Sequence, residues 1–251
     1  MSGPELRPGQ LTAPRALLRL AEAAAQESAA RFSAVPPPAD GRESAVLVLF
    51  GPTSAHLRTL AAGEETLDDL KIAELELLVT QRAHTLRSHA AQPAFPGGRI
   101  DPGDDGAVGA ALREAGEETG LDPGGVEVLA TLPRLGILPS RSVVVPVLGW
   151  WHTPSVVGAV DPAEVARVLP VPVSRLLDPE VRVRVVHPSG RLGRGFVVDE
   201  LFIWGFTGGV VQGLLRVAED LGLVPKVGWP ARDVQLADYQ ELLRPGVPDN
   251  P

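Results

Sequence analysis

The sequence predicts an α+β fold with a substantial buried sheet. Of the 251 residues, 44% are hydrophobic and the mean hydropathy is +0.09, which is enough apolar material for a sizeable core. The longest apolar runs, 45–50 and 143–151, have the length of strands and fall well short of membrane spans. Alanine-rich and glutamate-rich segments between and around such runs have helical spacing, so both kinds of element are expected.

The first 41 residues are predicted to form an N-terminal helix and a proline-rich linker. The helix is expected over 14–32, with an apolar stripe made of Leu17, Leu18, Leu20 and Ala24. Three consecutive prolines at 36–38 form a stiff connection. The main domain is therefore expected to begin near Arg42.

The main domain is predicted to span 42–223 and to contain most of the strands. These are expected over 44–50, 75–80, 126–132 and 142–151, with an insertion at 51–69 that carries a short helix. Another short helix, capped by Asp161, is expected over 161–166. A hairpin formed by 181–186 and 195–198 precedes a last helix that ends near Leu221, and 224–251 is a C-terminal extension.

The most informative stretch is a glycine-rich loop that leads into a short acidic helix. The loop begins with Phe95-Pro-Gly-Gly98, and either Asp104 or Asp105 can cap the helix that follows. Gly120 suits the position just after the helix, where a left-handed residue commonly ends it. The predicted helix is roughly fifteen residues long.

Three carboxylates lie near the end of this helix. At about 100° per residue, Glu114, Glu117 and Glu118 share one face, where like charges repel. A hard divalent cation such as Mg²⁺ would reverse that repulsion, because it takes oxygen ligands and often bridges carboxylates to phosphate. Arg113 can hydrogen-bond a neighbouring glutamate. A solvated surface is the alternative interpretation of a glutamate-rich face.

This stretch resembles the Nudix signature, in which a glycine, five residues and a glutamate precede an Arg-Glu-x-x-Glu-Glu-x-Gly run. The matching residues are Gly98, Arg113, Glu114, Glu117, Glu118, Gly120 and Leu121. Asp104 stands where the first glutamate belongs, and eight residues instead of seven separate it from Arg113. The resemblance implies a Nudix-type α/β/α sandwich with a mixed central β-sheet and a diphosphatase activity.

The residues before the loop resemble the coenzyme A pyrophosphatase branch of the Nudix hydrolases. That branch carries Leu-Leu-x-Thr-x-Arg, then Leu-Arg-x-His-x-Gly-Gln, then Phe-Pro-Gly-Gly-x-x-Asp-x-x-Asp. The matching residues are Leu77, Leu78, Arg82, Leu86, Arg87, His89, Gln92, Phe95, Pro96, Gly97, Gly98, Asp101 and Asp104. Asp104 and its spacing are features of this branch, whereas Ala91 replaces a glycine. The resemblance covers roughly residues 42–223.

The resemblance implies hydrolysis of coenzyme A or its derivatives to 3′,5′-ADP and 4′-phosphopantetheine. Mg²⁺ or Mn²⁺ would be bound by Glu114, Glu117 and Glu118, and Arg113 would orient its neighbouring glutamate. Glu117 or Glu164 would accept a proton from the attacking water. The residues expected to contact substrate are Arg82, Arg87, His89, Arg99 and Gly98.

Simpler interpretations of these residues stay open. Arg82 and Arg87 could be surface residues paired with acids, and His89 could be a structural histidine. Glu164 could be a charge favoured by the dipole at a helix N-terminus. At the level of function, the alternatives are a Nudix hydrolase that acts on ADP-ribose or NADH, and a non-catalytic Nudix domain that senses a nucleotide.

Net charge and composition limit the kinds of molecule that the protein is expected to bind. The formal net charge is −8, which argues against general nucleic-acid binding because that requires a basic face. Cysteine is absent, which fits a cytoplasmic enzyme, and no run is long enough to span a membrane. The expected partner is a small-molecule substrate of the coenzyme A class, and a homodimer is compatible with the sequence.

Overall fold

A mixed sheet forms the centre of the protein. The computed structural model describes residues 12–33, 35–61, 70–84, 91–137, 141–229 and 232–238. Eight strands form the main sheet: β1 (Arg42–Pro52), β2 (Leu75–Arg82), β3 (Pro93–Ala94), β4 (Gly97–Arg99), β5 (Val126–Thr131), β6 (Leu135–Ile137), β7 (Ser142–Trp151) and β8 (Val165–Pro172). Their order is β3-β2-β1-β7-β5, with β4 paired to β1, β6 to β7 and β8 to β2. Among the described strand pairs of this sheet, only β1 and β7 run parallel, so the predicted mixed sheet is confirmed.

Alternate residues of β1 point to two helical layers. Leu47 and Leu49 pack with Ala111 and Ala115 of α3 (Gly106–Thr119), whereas Val48 and Phe50 belong to the larger core on the other face. That larger core includes buried residues of α1 (Arg15–Ala25) and α5 (Gly205–Asp220). Because successive strand residues face opposite sides, the apolar run of β1 is buried on both. The predicted α/β/α sandwich is confirmed.

The N-terminal helix packs in the same core as the sheet. It ends at Ala25, and a single 3₁₀ turn follows at Ala29–Arg31, so it is shorter than the predicted 14–32. Leu17, Leu20 and Ala24 are buried as expected, but Leu18 is 43% exposed and does not belong to the stripe. The proposed boundaries at 41/42 and 223/224 stay predictions, although this helix contributes to the common core.

A second sheet of four strands follows the first. Its strands are β9 (Arg182–Val186), β10 (Leu192–Val198), β11 (Leu201–Ile203) and β12 (Asp233–Gln235), in the order β11-β10-β9-β12. The antiparallel pairing of β9 and β10 confirms the predicted hairpin. β12 comes from the C-terminal extension and pairs with β9 in parallel. Part of that extension therefore completes a sheet.

The predicted helix over 161–166 is wrong. Asp161 Oδ1 accepts a hydrogen bond from Ala163 N at 2.8 Å, which forms a local turn, and β8 begins at Val165. β8 then pairs along β2 from Arg82 to Glu76. The Asp-Pro-Ala-Glu sequence is typical of a helix start, but strand pairing with β2 determines the conformation. Two further helices, α2 (Ser54–Ala61) and α4 (Val173–Leu177), complete the fold, and α2 is the short helix predicted in the insertion.

Glu76 on β2 is a carboxylate without a polar partner among the described residues. Its strand neighbours are Gly51 and Pro172, and burial raises its pKa to about 7. An unfolded glutamate titrates near 4.3, so between about pH 4.3 and 7 the folded protein binds more protons than the unfolded one. The free energy of unfolding should therefore fall as pH rises through this window.

We expect Glu76→Gln to stabilise the protein at pH 8 by about 1–3 kcal/mol, because an amide removes the cost of a buried charge. At pH 4 the two proteins should differ little. Urea denaturation at both pH values measures this, with Glu127→Gln on β5 as an exposed control. Equal stabilities of wild type and Glu76→Gln at pH 8 would contradict the assignment of a costly charge to Glu76.

No helix in the described part of the chain is both long enough and apolar enough to cross a bilayer.

Candidate active site

The Gly97-Gly98 pair brings the loop against β1 and the acidic helix. A Cβ atom at Gly97 would lie 2.3 Å from the carbonyl oxygen of Ala45, and the φ angle of Gly97 is +155°. A Cβ atom at Gly98 would lie 2.4 Å from the carboxylate of Glu114. Only glycine permits these two approaches without displacement. The pair therefore places the loop backbone directly beside the carboxylates of α3.

The helix begins and ends where predicted, but no side-chain hydrogen bond caps its start. Gly120 adopts a left-handed conformation with φ +70° at the C-terminal end of α3, which confirms its predicted role. Asp105 occupies the N-cap position, but its side chain makes no capping hydrogen bond. Asp104 does not cap the helix either, because its carboxylate accepts from Asp101 N at 2.7 Å and binds Arg113. The carboxylate of Asp104 therefore holds the side chain of Arg113 instead of capping the helix.

Arg113 hydrogen-bonds three carboxylates and the loop backbone, and its Nη2 lies 3.7 Å from a fourth carboxylate, that of Asp101. Its Nε and Nη2 donate to the two oxygens of Asp104 at 2.9 and 3.0 Å. Its Nη1 donates to Glu114 and to Glu117, each at 3.1 Å, and Nη2 also reaches the carbonyl of Arg99 at 3.1 Å. These contacts lower the pKa of Asp104 to about 2 and raise the pKa of Arg113. The sequence predicted a contact with one glutamate, and the structure adds a second glutamate and an aspartate.

Glu118 is half-buried and is hydrogen-bonded to the glycine-rich loop. One carboxylate oxygen accepts from the backbone N–H of Gly97 at 3.2 Å. Burial raises the pKa of Glu118 to about 7, and the charges of Glu114 and Glu164 add to this, while Gly97 N–H and Arg82 oppose it. A carboxylate whose pKa lies near neutral pH is suited to accept a proton. Burial is the largest influence on the pKa of Glu118.

Arg82 and Glu164 lie near enough to Glu118 for their charges to influence its pKa. Arg82 ends β2, and its Nε is buried without a hydrogen-bond acceptor among the described residues. Glu164 lies in the turn before β8, and its carbonyl accepts from Ala83 N at 2.9 Å. Since no helix begins there, a helix dipole does not explain Glu164. Arg82, Glu118 and Glu164 are thus brought together although they are far apart in the sequence.

Two predicted substrate residues, Arg87 and His89, lie outside the described residues. Arg99 is exposed on β4, and its carbonyl is held by Arg113. Gly98, also predicted to contact substrate, lies against Glu114. Of the predicted site residues, the structure therefore gathers Arg82, Gly98, Arg113, the three helix glutamates and Glu164 around the last turns of α3.

Several polar residues that the sequence did not single out hold the segment before the Gly97-Gly98 pair. Gln81, which is 6% exposed, donates to the carbonyl of Ala91 at 3.3 Å and accepts from Arg167 at 2.9 Å. Thr207 at the start of α5 donates to the carbonyl of Pro93 at 3.1 Å. A glutamine within an apolar strand, next to Arg82, could have indicated a buried hydrogen-bond network from the sequence. The partners of that glutamine depend on the fold.

Ala91 carries backbone strain at the end of this segment. It stands where the related pattern has glycine, its φ is +56°, and its side chain is fully buried. A left-handed conformation is unfavourable for a residue with a Cβ atom. We expect Ala91→Gly to change stability by less than about 1 kcal/mol, because relief of strain offsets the lost methyl group.

The control is Ala24→Gly, at an equally buried alanine in the right-handed helix α1. It should lose about 1–2 kcal/mol, since both the methyl group and helix propensity are lost. Thermal unfolding of the two variants measures the difference. Equal losses would show that Ala91 is not strained.

The carboxylates supply suitable donors for a divalent cation, but they are not arranged as a ready ligand set. Glu114, Glu117 and Glu118 offer the oxygen atoms that Mg²⁺ and Mn²⁺ prefer, and the carboxylate of Glu114 lies where a Cβ atom at position 98 would be. Within the described ranges, no group of three or more His, Cys, Asp or Glu residues has the geometry to hold a metal ion. Arg113 binds two of the three glutamates. The donor chemistry fits a cation, and binding one would require these side chains to reorient.

Comparisons with known proteins identify the family. A model of the NUDIX domain matches residues 70–184. The uncharacterized Nudix hydrolase NudL of Citrobacter koseri is 38% identical over 164 residues, which cover 59% of this chain and 77% of that protein. NudL of Cronobacter sakazakii is 38% identical over 159 residues, which cover 57% and 76%. The chain belongs to the Nudix hydrolase family.

As a Nudix hydrolase, the protein is an enzyme of a family that acts on phosphorus-containing anhydrides, generally with divalent metal ions. Among solved structures, it is similar to the Nudix hydrolase RenU of M. smegmatis, with a TM-score of 0.44 and 16% identity over 74% of this chain and 89% of that one. It is also similar to the NUDIX domain of Shewanella oneidensis NrtR, complexed with ADP ribose, with a TM-score of 0.38 and 21% identity over 62% and 85%.

Proposed function

We propose that this Nudix hydrolase cleaves the diphosphate of coenzyme A or its derivatives, giving 3′,5′-ADP and 4′-phosphopantetheine. The observation that carries the proposal is the position of Arg82. This arginine belongs to the run that resembles the coenzyme A branch, and it lies close enough to Glu118 to oppose the rise of that carboxyl pKa. A guanidinium at this point can bind phosphate oxygens through its planar fork.

Mg²⁺ or Mn²⁺ is the proposed cofactor, with Glu114, Glu117 and Glu118 as its ligands. When bound, such an ion polarises a phosphoryl oxygen and acidifies water. Arg113 orients Glu114 and Glu117 through the hydrogen bonds that it donates to them. Arg82 and Arg99, together with Arg87 and His89, offset the substrate charge, because phosphoryl transfer depends on positioning and charge stabilisation.

A carboxylate of the site accepts the proton of the attacking water. Glu117 and Glu164 are exposed, whereas Glu118 is half-buried, and burial raises its pKa to about 7. Glu164 adds negative charge beside Glu118. Each is proposed as a catalytic residue, and variants at the three positions separate the base from the ligands. A cytoplasmic location and a homodimer stay predictions.

A substrate panel tests the proposed specificity. With Mg²⁺ or Mn²⁺ present, kcat/KM for coenzyme A should exceed that for ADP-ribose, NADH and dinucleoside polyphosphates by about tenfold or more, which corresponds to roughly 1.4 kcal/mol of transition-state binding. Mass spectrometry should detect 3′,5′-ADP and 4′-phosphopantetheine. The reverse order of substrates would leave the family unchanged and refute the coenzyme A assignment. No hydrolysis of any member would favour a nucleotide-sensing role.

A further inference from the structure

The four residues before Phe95 are held by hydrogen bonds to each of their carbonyl oxygens. For the segment 91–94 in chain order, the donors are the side chain of Gln81 at 3.3 Å, the backbone N–H of Arg82 at 3.1 Å, the hydroxyl of Thr207 at 3.1 Å and the hydroxyl of Thr80 at 3.1 Å. Side chains supply three of these four donors. Three of the four donors belong to β2, whereas Thr207 belongs to α5.

The three side-chain donors are buried. Six polar or charged residues are buried in the part of the chain that the structure describes, and Thr80, Gln81 and Thr207 are three of them, at 1%, 6% and 5% exposed. Burying a hydroxyl or an amide costs free energy unless the group is hydrogen-bonded. Half of these buried polar residues therefore serve to fix one segment of four residues.

The backbone of this segment cannot hold itself by regular strand pairing. β3 consists of Pro93 and Ala94 alone, and Pro93 is paired with Gln81 although proline has no N–H to donate. Ala91 is left-handed, with φ +56°, so it does not extend the strand. Side-chain donors replace the ladder hydrogen bonds that such a sequence cannot make.

The contact made by Thr207 is long-range. A threonine in a helix commonly donates to a carbonyl three or four residues earlier, and Thr119 of α3 does so, to Ala115 at 2.6 Å. Thr207 lies in the first turn of α5, yet its hydroxyl donates to Pro93, 114 residues earlier. The start of α5 is thus attached to the segment that leads into the candidate active site.

Both ends of the segment 91–94 adjoin the candidate site, but only one has a separate anchor among the contacts described here. Towards Gly97, the carbonyl of Pro96 accepts from Leu47 N on β1 at 2.8 Å. At the other end, Arg82 N–H binds the segment directly, and the pairing of β2 with β8 is irregular between residues 81 and 82. Loss of a donor to the segment should therefore displace Arg82 more than Gly97.

We propose that Thr207 is a positioning residue for substrate binding. By holding Pro93 it keeps the segment 91–94 against the end of β2, and so sets the place from which Arg82 binds a phosphate oxygen of the diphosphate. The inference rests on the proposed function for the role of Arg82. Gln81 acts alike at Ala91: Arg167 can only donate and binds Gln81 Oε1 at 2.9 Å, so the amide nitrogen faces the carbonyl.

Thr207→Val tests the proposal, because valine keeps the shape of the side chain and removes the hydroxyl. With Mg²⁺ and the best diphosphate of the substrate panel, KM should rise by about threefold to tenfold, since a charge-assisted hydrogen bond from Arg82 is weakened in the ground state and the transition state alike. Both kcat and the Mg²⁺ concentration for half-maximal activity should change by less than about twofold. Thr207→Ser keeps the hydroxyl and should restore the KM of the wild type.

Matched variants separate positioning from loss of stability. Val211→Ala removes buried apolar atoms one turn further along α5 and should lower the melting temperature without changing KM. Gln81→Glu tests the same segment independently of α5, because it keeps an acceptor for Arg167 but places an oxygen against the carbonyl of Ala91, and it should also raise KM. An unchanged KM in both Thr207→Val and Gln81→Glu, or an equal rise in Val211→Ala, overturns the proposal.

A double-mutant cycle with Arg82→Gln tests the route. If Thr207 acts through Arg82, Thr207→Val should raise KM much less in the Arg82→Gln background than in the wild type, and an equal rise in both overturns the proposal. The order of substrates for the wild type tests the coenzyme A assignment separately, since the cycle is measured with whichever diphosphate is best. If none is hydrolysed, dissociation constants for the same compounds from calorimetric titration replace KM, and absence of binding overturns the proposal.

Discussion

Replacing Glu118 by glutamine should lower kcat by about 10²–10⁴-fold, the range expected when a proton-accepting or charge-stabilising group is lost. The amide oxygen of glutamine can still accept the hydrogen bond from Gly97 N–H, so the loop and α3 should keep their positions. The change removes only the negative charge. Steady-state kinetics with the best substrate of the panel measures the effect.

The fold of the Glu118→Gln variant should be intact. Because burial raises the pKa of Glu118 to about 7, its charge costs stability at higher pH, and the neutral amide should unfold no earlier than wild type at pH 8. Glu127→Gln on β5 is the matched control and should retain full activity. A Glu118→Gln enzyme with wild-type turnover would remove Glu118 from the mechanism, whereas lower activity with a lower melting temperature would indicate a structural role.

Local signals in the sequence predicted the main elements of the fold. The apolar run of β1, buried on both faces, and the acidic helix ended by Gly120 are both encoded by neighbouring residues, and both are confirmed. The errors arose where distant partners decide the conformation. Residues 161–164 have the composition of a helix start, yet the residues that follow form a strand because they pair with β2. Leu18 fits the helical period but is 43% exposed, so it lies outside the buried stripe.

In the candidate site, too, local features are predictable from the sequence, whereas contacts between distant residues are not. The glutamate face of α3 and the glycines of the loop are predictable from spacing, because they lie within one loop–helix unit. The approach of Arg82 and Glu164 to Glu118 is different, because it depends on how β2 and β8 pair beside α3. The forked contact of Arg113 with Asp104, nine residues earlier, depends on the turn of the loop. The spacing of residues in the sequence therefore predicts the carboxylates that could bind a metal. The charged residues that surround those carboxylates depend on how the strands pair, which the sequence does not reveal.

Arg113→Lys should reduce kcat/KM by about 10–100-fold and raise the metal concentration needed for half-maximal activity by a similar factor, as expected for groups that orient metal ligands. A lysine retains the charge but not the planar fork that reaches Asp104, Glu114, Glu117 and the carbonyl of Arg99 at once. Glu114 and Glu117 would then repel each other without a common donor. Activity measured against Mg²⁺ and Mn²⁺ concentration gives both quantities.

The opposite result for Arg113 has a clear physical meaning. Since Arg113 binds Glu114 and Glu117 in the described structure, it could compete with a cation for the same oxygens. In that case Arg113→Lys would lower the metal requirement and leave kcat unchanged, and the orienting role would be refuted. Asp104→Asn distinguishes the two cases, because it weakens the anchor of Arg113 without touching the glutamates. If Arg113 orients the ligands, Asp104→Asn should impair activity in the same direction as Arg113→Lys, while Arg15→Lys on α1 should have no effect.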